Sequence, residues 1–331
     1  MIYNDQLEKQ ICKQRVRASI GKIEAQRKKP KYKCLVNGCS EFAIGSHSQQ
    51  MGGQLKVIAE NNKVTCLRRN LYDLYQDDYN GKAKLQEQHI SNVSVFPGYC
   101  NHHDTNVFWC IEKEPLTVHD TMQSATFFLR AISHEFAQKR TFFDANKKMI
   151  NMCKNFFNPR YIQLVKQMQI GREKFLENDG LYYLKKASKS VTDGHQISTV
   201  WVQIDKVLPA SICTVFSPYR TYDDKMENWL YGNPQVMCSF NLVPTDDSTH
   251  IVISWLVEHE SECAWLYELE SNNELLEATV NEITLCDSED ICFKPSFWES
   301  IDIFTKEDII SAFHHESARG PMPRIPMVLK I

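Results

Sequence analysis

Two short stretches decide how this chain is organised: CLVNGC at residues 34–39 and CNHHD at residues 100–104. The first carries two cysteines separated by four residues, and the second carries a cysteine with a histidine three residues later. Two thiolates at short spacing, followed by such a second pair, make a complete tetrahedral ligand set for zinc. The sequence therefore predicts a structural zinc site formed by Cys34, Cys39, Cys100 and His103.

The second stretch contains two adjacent histidines, and we expect only one of them to reach the metal. Neighbouring side chains on a helix diverge by about 100°. The spacing to Cys100 favours His103, and His102 remains the alternative ligand or a phosphate contact.

Two further polar residues lie beside these ligands and are not needed to complete the set. His47 stands between Ser46 and Ser48, eight residues after Cys39, and Asp104 directly follows His103. Their presence suggests that the site does more than stabilise the fold.

This arrangement resembles the HNH, or ββα-metal, nucleases, in which a zinc knuckle surrounds an active hairpin. The resemblance implies that His47 is the general base, that Cys100 and His103 are the second zinc pair, and that Asp104 holds a catalytic Mg²⁺ or Mn²⁺ ion. The chemistry is consistent, because a carboxylate suits Mg²⁺, thiolates suit Zn²⁺ and an imidazole titrates near neutral pH.

The chain departs from the family pattern in three respects. Its second zinc pair is Cys-x2-His rather than Cys-x2-Cys, and 52 residues separate His47 from Cys100. The middle asparagine of the family has three candidates, Asn92, Asn101 and Asn106.

Within the insertion, residues 57–59 and 64–67 flank Asn61-Asn62 and predict a β-hairpin.

Charge is distributed unevenly along a chain of 331 residues whose net charge is only −3. Residues 1–33 hold ten Lys or Arg and three acids, so their net charge is 10 − 3 = +7. Within this stretch, the pattern over 4–29 predicts a basic helix. Residues 223–290 hold sixteen Asp or Glu and a single Lys. This asymmetry favours a nucleic-acid partner at the basic end and a protein partner for the acidic end.

The remainder of the chain predicts a mixed α+β protein. We expect a basic helix over 1–33, an HNH-like zinc-binding unit over 34–114, a helical segment over 115–190 and an acidic α+β recognition or regulatory domain over 191–331. No apolar run of 18 residues and no leader pattern is present, so we expect neither a membrane span nor a signal peptide, and a cytoplasmic location.

The function expected from this combination is metal-dependent hydrolysis of phosphodiester bonds in nucleic acid, with DNA favoured over RNA. Free-standing nucleases joined to a sensing domain are commonly bacterial defence effectors, and by analogy we expect an antiviral role. The alternative is a non-enzymatic zinc knuckle that binds nucleic acid or protein. In a third hypothesis no metal binds, and the cysteines are core residues.

Overall fold

The computed structural model describes residues 14, 18, 32–68, 84–153, 159–193, 196–218, 236–288, 290–315 and 325–331. It confirms a mixed α+β fold with antiparallel sheets. The predicted basic helix lies almost wholly outside the described residues. No helix in the described part of the chain is long and apolar enough to cross a membrane.

A small ββα unit directly follows CLVNGC and contains CNHHD. Strand β1 (Gly45–His47) pairs antiparallel with β4 (Val95–Pro97), in a register that places His47 opposite Val95. Helices α2 (Asn101–Val107) and α3 (Trp109–Glu112) follow directly. This is the strand, strand and helix order that the resemblance implies.

The insertion between these two strands differs from the predicted hairpin. Its first half is a helix, α1 (Gln54–Ile58), and β2 (Lys63–Arg68) pairs instead with β3 (Lys84–His89). The turn itself was predicted correctly, because Asn61 and Asn62 both have positive φ, at 51° and 58°. Leu55 and Ile58 are buried against Val64, so packing of α1 into a small core overrides the local strand propensity.

Seven of the described strands form one antiparallel sheet with the order β3-β2-β9-β6-β7-β8-β5. Its remaining strands are β5 (Ile197–Ile204), β6 (Ala210–Phe216), β7 (Cys238–Pro244), β8 (Thr249–Leu256) and β9 (Ile291–Phe293). Because β9 pairs with β2, strands of the insertion and strands of the C-terminal part belong to the same sheet.

Helices cover both faces of the central strands, and this explains why β7 and β8 are buried along their whole length. One face packs against α4 (Thr121–Cys153), which is flanked by α5 (Pro159–Glu177) and α6 (Asp179–Asp193). The predicted helical segment is thus three helices. Phe127 of α4 meets Trp201 of β5 edge to face at 6.0 Å.

The opposite face of the sheet packs against the last helices of the chain. These are α7 (Glu260–Cys263), α8 (Asn273–Glu282), α9 (Pro295–Ser300) and α10 (Ile303–His315). Trp255 of β8, Leu276 of α8 and Ile309 of α10 are fully buried in this core. The ββα unit lies at the other side, against α4 and the sheet residues Trp201, Val243 and Val252.

Candidate metal centre and active site

The structure brings the four predicted zinc ligands into one cluster. Their ligand atoms all lie within 4.8 Å of one another. Nδ1 of His103 is 3.4 Å from Sγ of Cys34 and 3.2 Å from Sγ of Cys100, and Sγ of Cys39 is 4.0 Å from Sγ of Cys100. Residues from both sides of the insertion therefore converge on one point.

The dimensions of this cluster fit a zinc-sized ion. With Zn–S about 2.3 Å and Zn–N about 2.0–2.1 Å, a tetrahedron has S···N edges of about 3.6 Å and S···S edges of about 3.8 Å. The observed separations lie close to these edges, and all three cysteines are free thiols. The Cys3His set could therefore hold a metal such as zinc.

Local backbone structure prepares Cys100 to be a thiolate. It is the N-cap of α2, and its pKa is lowered, chiefly by the backbone of His103.

The orientation of the two rings shows which of the adjacent histidines belongs to the metal cluster. His103 turns Nδ1 towards the thiols, whereas His102 is exposed and lies 3.2 Å from Nδ2 of Asn106. Asn92 and Asn101 are also exposed. Within the described residues, no hydrogen bond joins any of the three candidate asparagines to His47 or Asp104.

His47 ends β1 and is only partly accessible. Its Nδ1 is buried and has no hydrogen-bond partner among the described residues. Burial lowers the pKa of His47, and this outweighs the Val93 backbone and the negative charges of Asp104 and Asp290, which raise it. The ring is therefore held neutral near pH 7.

Asp104 lies in the first turn of α2 and is also partly buried. Burial raises the pKa of its carboxyl, while a hydrogen bond from Ser46 and the charges of Arg130 and His47 oppose that rise. Each of these two residues therefore contributes to the pKa shift of the other. The two residues singled out in the sequence lie in one environment, beside the metal cluster.

Behind this pair lies a buried ion pair that the sequence did not reveal. Arg130 of α4 is 2% exposed, stacks over the Phe108 ring at 4.3 Å and forms a salt bridge with Glu112, which is 25% exposed. The charges of both residues act on the carboxyl of Asp104. Because α4 also packs on the large sheet, Arg130 links the ββα unit to the body of the protein.

A second missed residue comes from the acidic C-terminal part, in which the sequence showed no catalytic constellation. Asp290 precedes β9, is 9% exposed and accepts hydrogen bonds from Ser48 and Ser94. His134, for which the sequence indicated no partner, has Nε2 3.8 Å from the Asp290 carboxylate. The C-terminal part therefore reaches the turn that follows His47.

Comparison with known proteins adds no relative to this picture. No protein-family model matches the sequence, no curated protein matches it, and no solved structure matches the fold. The resemblance to HNH nucleases is therefore an interpretation of the motif residues and of the ββα geometry.

Proposed function

We propose that this protein is a metal-dependent, HNH-like endonuclease that hydrolyses phosphodiester bonds in nucleic acid. One observation carries the proposal: His47 and Asp104 share an electrostatic environment on a ββα unit whose two halves meet at a Cys3His cluster. A purely structural zinc knuckle would need neither residue.

His47 would act as the general base. A base must be neutral before it takes a proton from water, and burial keeps the pKa of His47 below its ordinary value. Its buried Nδ1 leaves the other ring nitrogen, Nε2, as the atom available to an attacking water.

Asp104 would hold the catalytic cation. A Mg²⁺ or Mn²⁺ ion bound there would supply positive charge to the phosphate and to the leaving oxygen. Mg²⁺ keeps several waters and commonly takes only one or two protein carboxylates, so a single half-buried aspartate is a sufficient anchor. Ser46 and the charge of Arg130 favour the ionised form of the Asp104 carboxyl, which is the form that binds a cation.

The Cys3His cluster would hold Zn²⁺ as a structural ion, since three thiolates and an imidazole are a soft, closed set. Cys34 and Cys39 precede β1, whereas Cys100 and His103 follow β4. A zinc ion would therefore fix the strand that ends in His47 relative to the helix that carries Asp104.

The substrate class follows from charge. The N-terminal excess of +7 favours a polyanion, and we propose DNA ahead of RNA. All ten cysteines with described side chains are free thiols, which supports a cytoplasmic location. A protein partner for the acidic C-terminal part and a role in bacterial antiviral defence remain proposals by analogy.

The decisive experiment is a cleavage assay with supercoiled plasmid, linear DNA and RNA, in the presence of Mg²⁺, Mn²⁺ or neither. Wild type is compared with His47→Ala, Asp104→Ala and the matched control His119→Ala, whose side chain is exposed and contacts Glu270. We expect cleavage that depends on the cation and is lost in the first two variants only. Absence of cleavage on every substrate, or full activity of His47→Ala, would refute the proposal.

The non-enzymatic zinc knuckle is the main rival and predicts a different pattern. In that case the protein binds nucleic acid or another protein, Asp104→Ala leaves binding unchanged, and no preparation cleaves anything. Binding measured by gel shift on the same substrates therefore separates the two functions.

A further inference from the structure

Asp290 joins two serines that lie 46 residues apart in sequence. Its Oδ2 accepts a hydrogen bond from Ser48, and its Oδ1 accepts one from Ser94 at 2.7 Å. Its backbone oxygen accepts a third from Nε2 of Gln49, at 2.9 Å. Among the described residues, the carboxylate also faces Nε2 of His134 at 3.8 Å.

These contacts are made at the point where the insertion leaves and rejoins the ββα unit. Ser48 follows His47 directly, and Ser94 directly precedes β4. The two serines also bind each other through Ser48 N–H to Ser94 O at 2.8 Å, and the same carbonyl oxygen lies 3.1 Å from Ser48 Oγ. Any shift of Ser48 relative to Ser94 would therefore move His47 relative to β4.

The conformation of Ser94 indicates that this junction is held under constraint. Its φ is +56°, in the left-handed region that a non-glycine residue adopts only when its surroundings over-determine it. Its side chain donates a hydrogen bond to Asp290 and also lies 3.9 Å from Sγ of Cys292. Such constraints are expected where a nearby group must be aimed.

We propose that Asp290 is a positioning residue for His47, through which the C-terminal part of the chain completes the active site. The inference rests on the proposed nuclease function. Asp290 does not touch substrate, because it is buried behind Ser48 and Ser94. It acts by fixing both ends of the turn from which the imidazole is presented.

The test compares the kcat and KM of wild type with those of Asp290→Ala and Asp290→Asn. Misplacement of a catalytic group by about 1 Å costs about 100-fold in rate, so Asp290→Ala should lose about that factor in kcat with KM within about twofold. Asp290→Asn should recover about tenfold of this loss, because an amide can accept from one serine and donate to the other. An Asn variant as inactive as the Ala variant would overturn a positioning role.

Glu260→Ala is the matched control for loss of stability. Glu260 accepts hydrogen bonds from Ser198 at 2.6 Å and from Nε1 of Trp255 at 3.0 Å, and it lies beside β5, at the far edge of the sheet from β9. We expect this variant to unfold at a lower temperature but to keep its kcat. Equal losses of kcat in Glu260→Ala and Asp290→Ala would mean that Asp290 is merely structural.

Ser94→Gly keeps the inference testable if Asp290→Ala does not fold. Glycine adopts a φ of +56° without strain, so the fold is preserved while the hydrogen bond to Asp290 is removed. We expect a loss of about tenfold in kcat, from partial misplacement of the general base. Unchanged kcat in this variant would overturn the inference.

The ¹H–¹⁵N spectrum of the His47 imidazole supplies a readout that does not depend on cleavage. Asp290→Ala should shift or broaden the His47 signals and leave those of His250 unchanged. If wild type cleaves nothing but the His47 signals respond, the nuclease proposal fails and takes the catalytic role of Asp290 with it, while the effect of Asp290 on the position of the His47 ring is still detected. If wild type cleaves and neither kcat nor the spectrum responds, only the positioning inference fails.

Discussion

Sγ of Cys34 lies 3.4 Å from Nδ1 of His103, although the two residues are 69 positions apart in the chain. This contact ties the segment before β1 to the first turn of α2, and a metal ion between the two atoms would be the main link between the halves of the ββα unit. Removal of the metal should therefore destabilise this unit before the rest of the protein.

We expect purified protein to carry about one equivalent of zinc, and chelation to lower the unfolding temperature and expose the ββα unit to protease. Cys100→Ser should lose the zinc. Cys110→Ser, which removes a half-buried cysteine that contacts Thr126, should keep it. Elemental analysis and thermal unfolding measure both. Zinc retained by the Cys100 variant would contradict the predicted ligand set.

The Arg130–Glu112 ion pair predicts an asymmetric response to mutation. Glu112→Gln leaves the guanidinium of Arg130, which is 2% exposed, without its charged partner. Removing one partner of a buried ion pair lowers the free energy of unfolding by about 3–5 kcal/mol. Arg130→Met should cost less, because water can reach the Glu112 carboxylate, which is 25% exposed. Urea unfolding measures both free energies, and the double variant should be more stable than Glu112→Gln alone. The reverse order of the single variants would contradict the assignment of burial.

The buried pair formed by Trp201 and His250 predicts a pH dependence of stability. Nε1 of Trp201 donates to Nδ1 of His250 at 3.0 Å, so that nitrogen must be unprotonated. Burial lowers the pKa of His250. A depressed histidine pKa means that the unfolded chain binds a proton first, so its stabilising contribution is present above the ordinary pKa of about 6.5. That contribution is lost as the pH falls through this value towards the folded pKa.

His250→Gln should accordingly reduce the fall in unfolding free energy between about pH 7 and pH 5. Glutamine can still accept the indole hydrogen bond but does not titrate. Denaturant titrations at several pH values give the comparison, with exposed His119→Gln as the control. An identical pH profile in wild type and His250→Gln would show that His250 does not contribute.

The last residues of the chain depend on Asn281 of α8. Its Oδ1 accepts from the backbone N–H groups of Val328 and Leu329, and its Nδ2 donates to the carbonyls of Leu329 and Glu277, all at 2.8–2.9 Å. Asn281 and Leu329 are both fully buried. Asn281→Ala would leave buried backbone groups unsatisfied, at about 1–3 kcal/mol each.

We therefore expect Asn281→Ala to lower the unfolding temperature and to release the C-terminal residues to carboxypeptidase. Asn178→Ala is a suitable control, since Asn178 is exposed and its side chain donates only to the carbonyl of Lys174. Similar digestion of the two variants would argue against Asn281 as the anchor.

Features set by residues near one another in sequence could be predicted. The spacing of Cys34 and Cys39, and of Cys100 and His103, identified the four residues that the structure brings together. The helical segment expected over 115–190 corresponds to α4, α5 and α6, and the α+β part expected over 191–331 contains strands β5 to β9. Each of these signals repeats within one or two turns or strands, where the backbone geometry alone determines the pattern.

Strand pairing and the residues behind the site were decided by tertiary structure alone. Whether β2 pairs with residues 57–59 or with β3 depends on which side chains α1 buries, and that core includes Cys292 of the distant β9. In the same way, Arg130, Ser133 and His134 form a polar stripe on α4 that looks in sequence like a solvent-exposed face. Only packing against the ββα unit and the sheet shows that the stripe is buried.

The sequence by itself determined which residues could bind metal and which of the longer segments would be helical or extended, because those properties depend on residue chemistry and local spacing. Only the tertiary structure decided that Asp290, from the acidic C-terminal part, reaches Ser48 and Ser94 beside His47. A contact between residues some 240 positions apart depends on the packing of the whole chain, and local sequence carries no record of it.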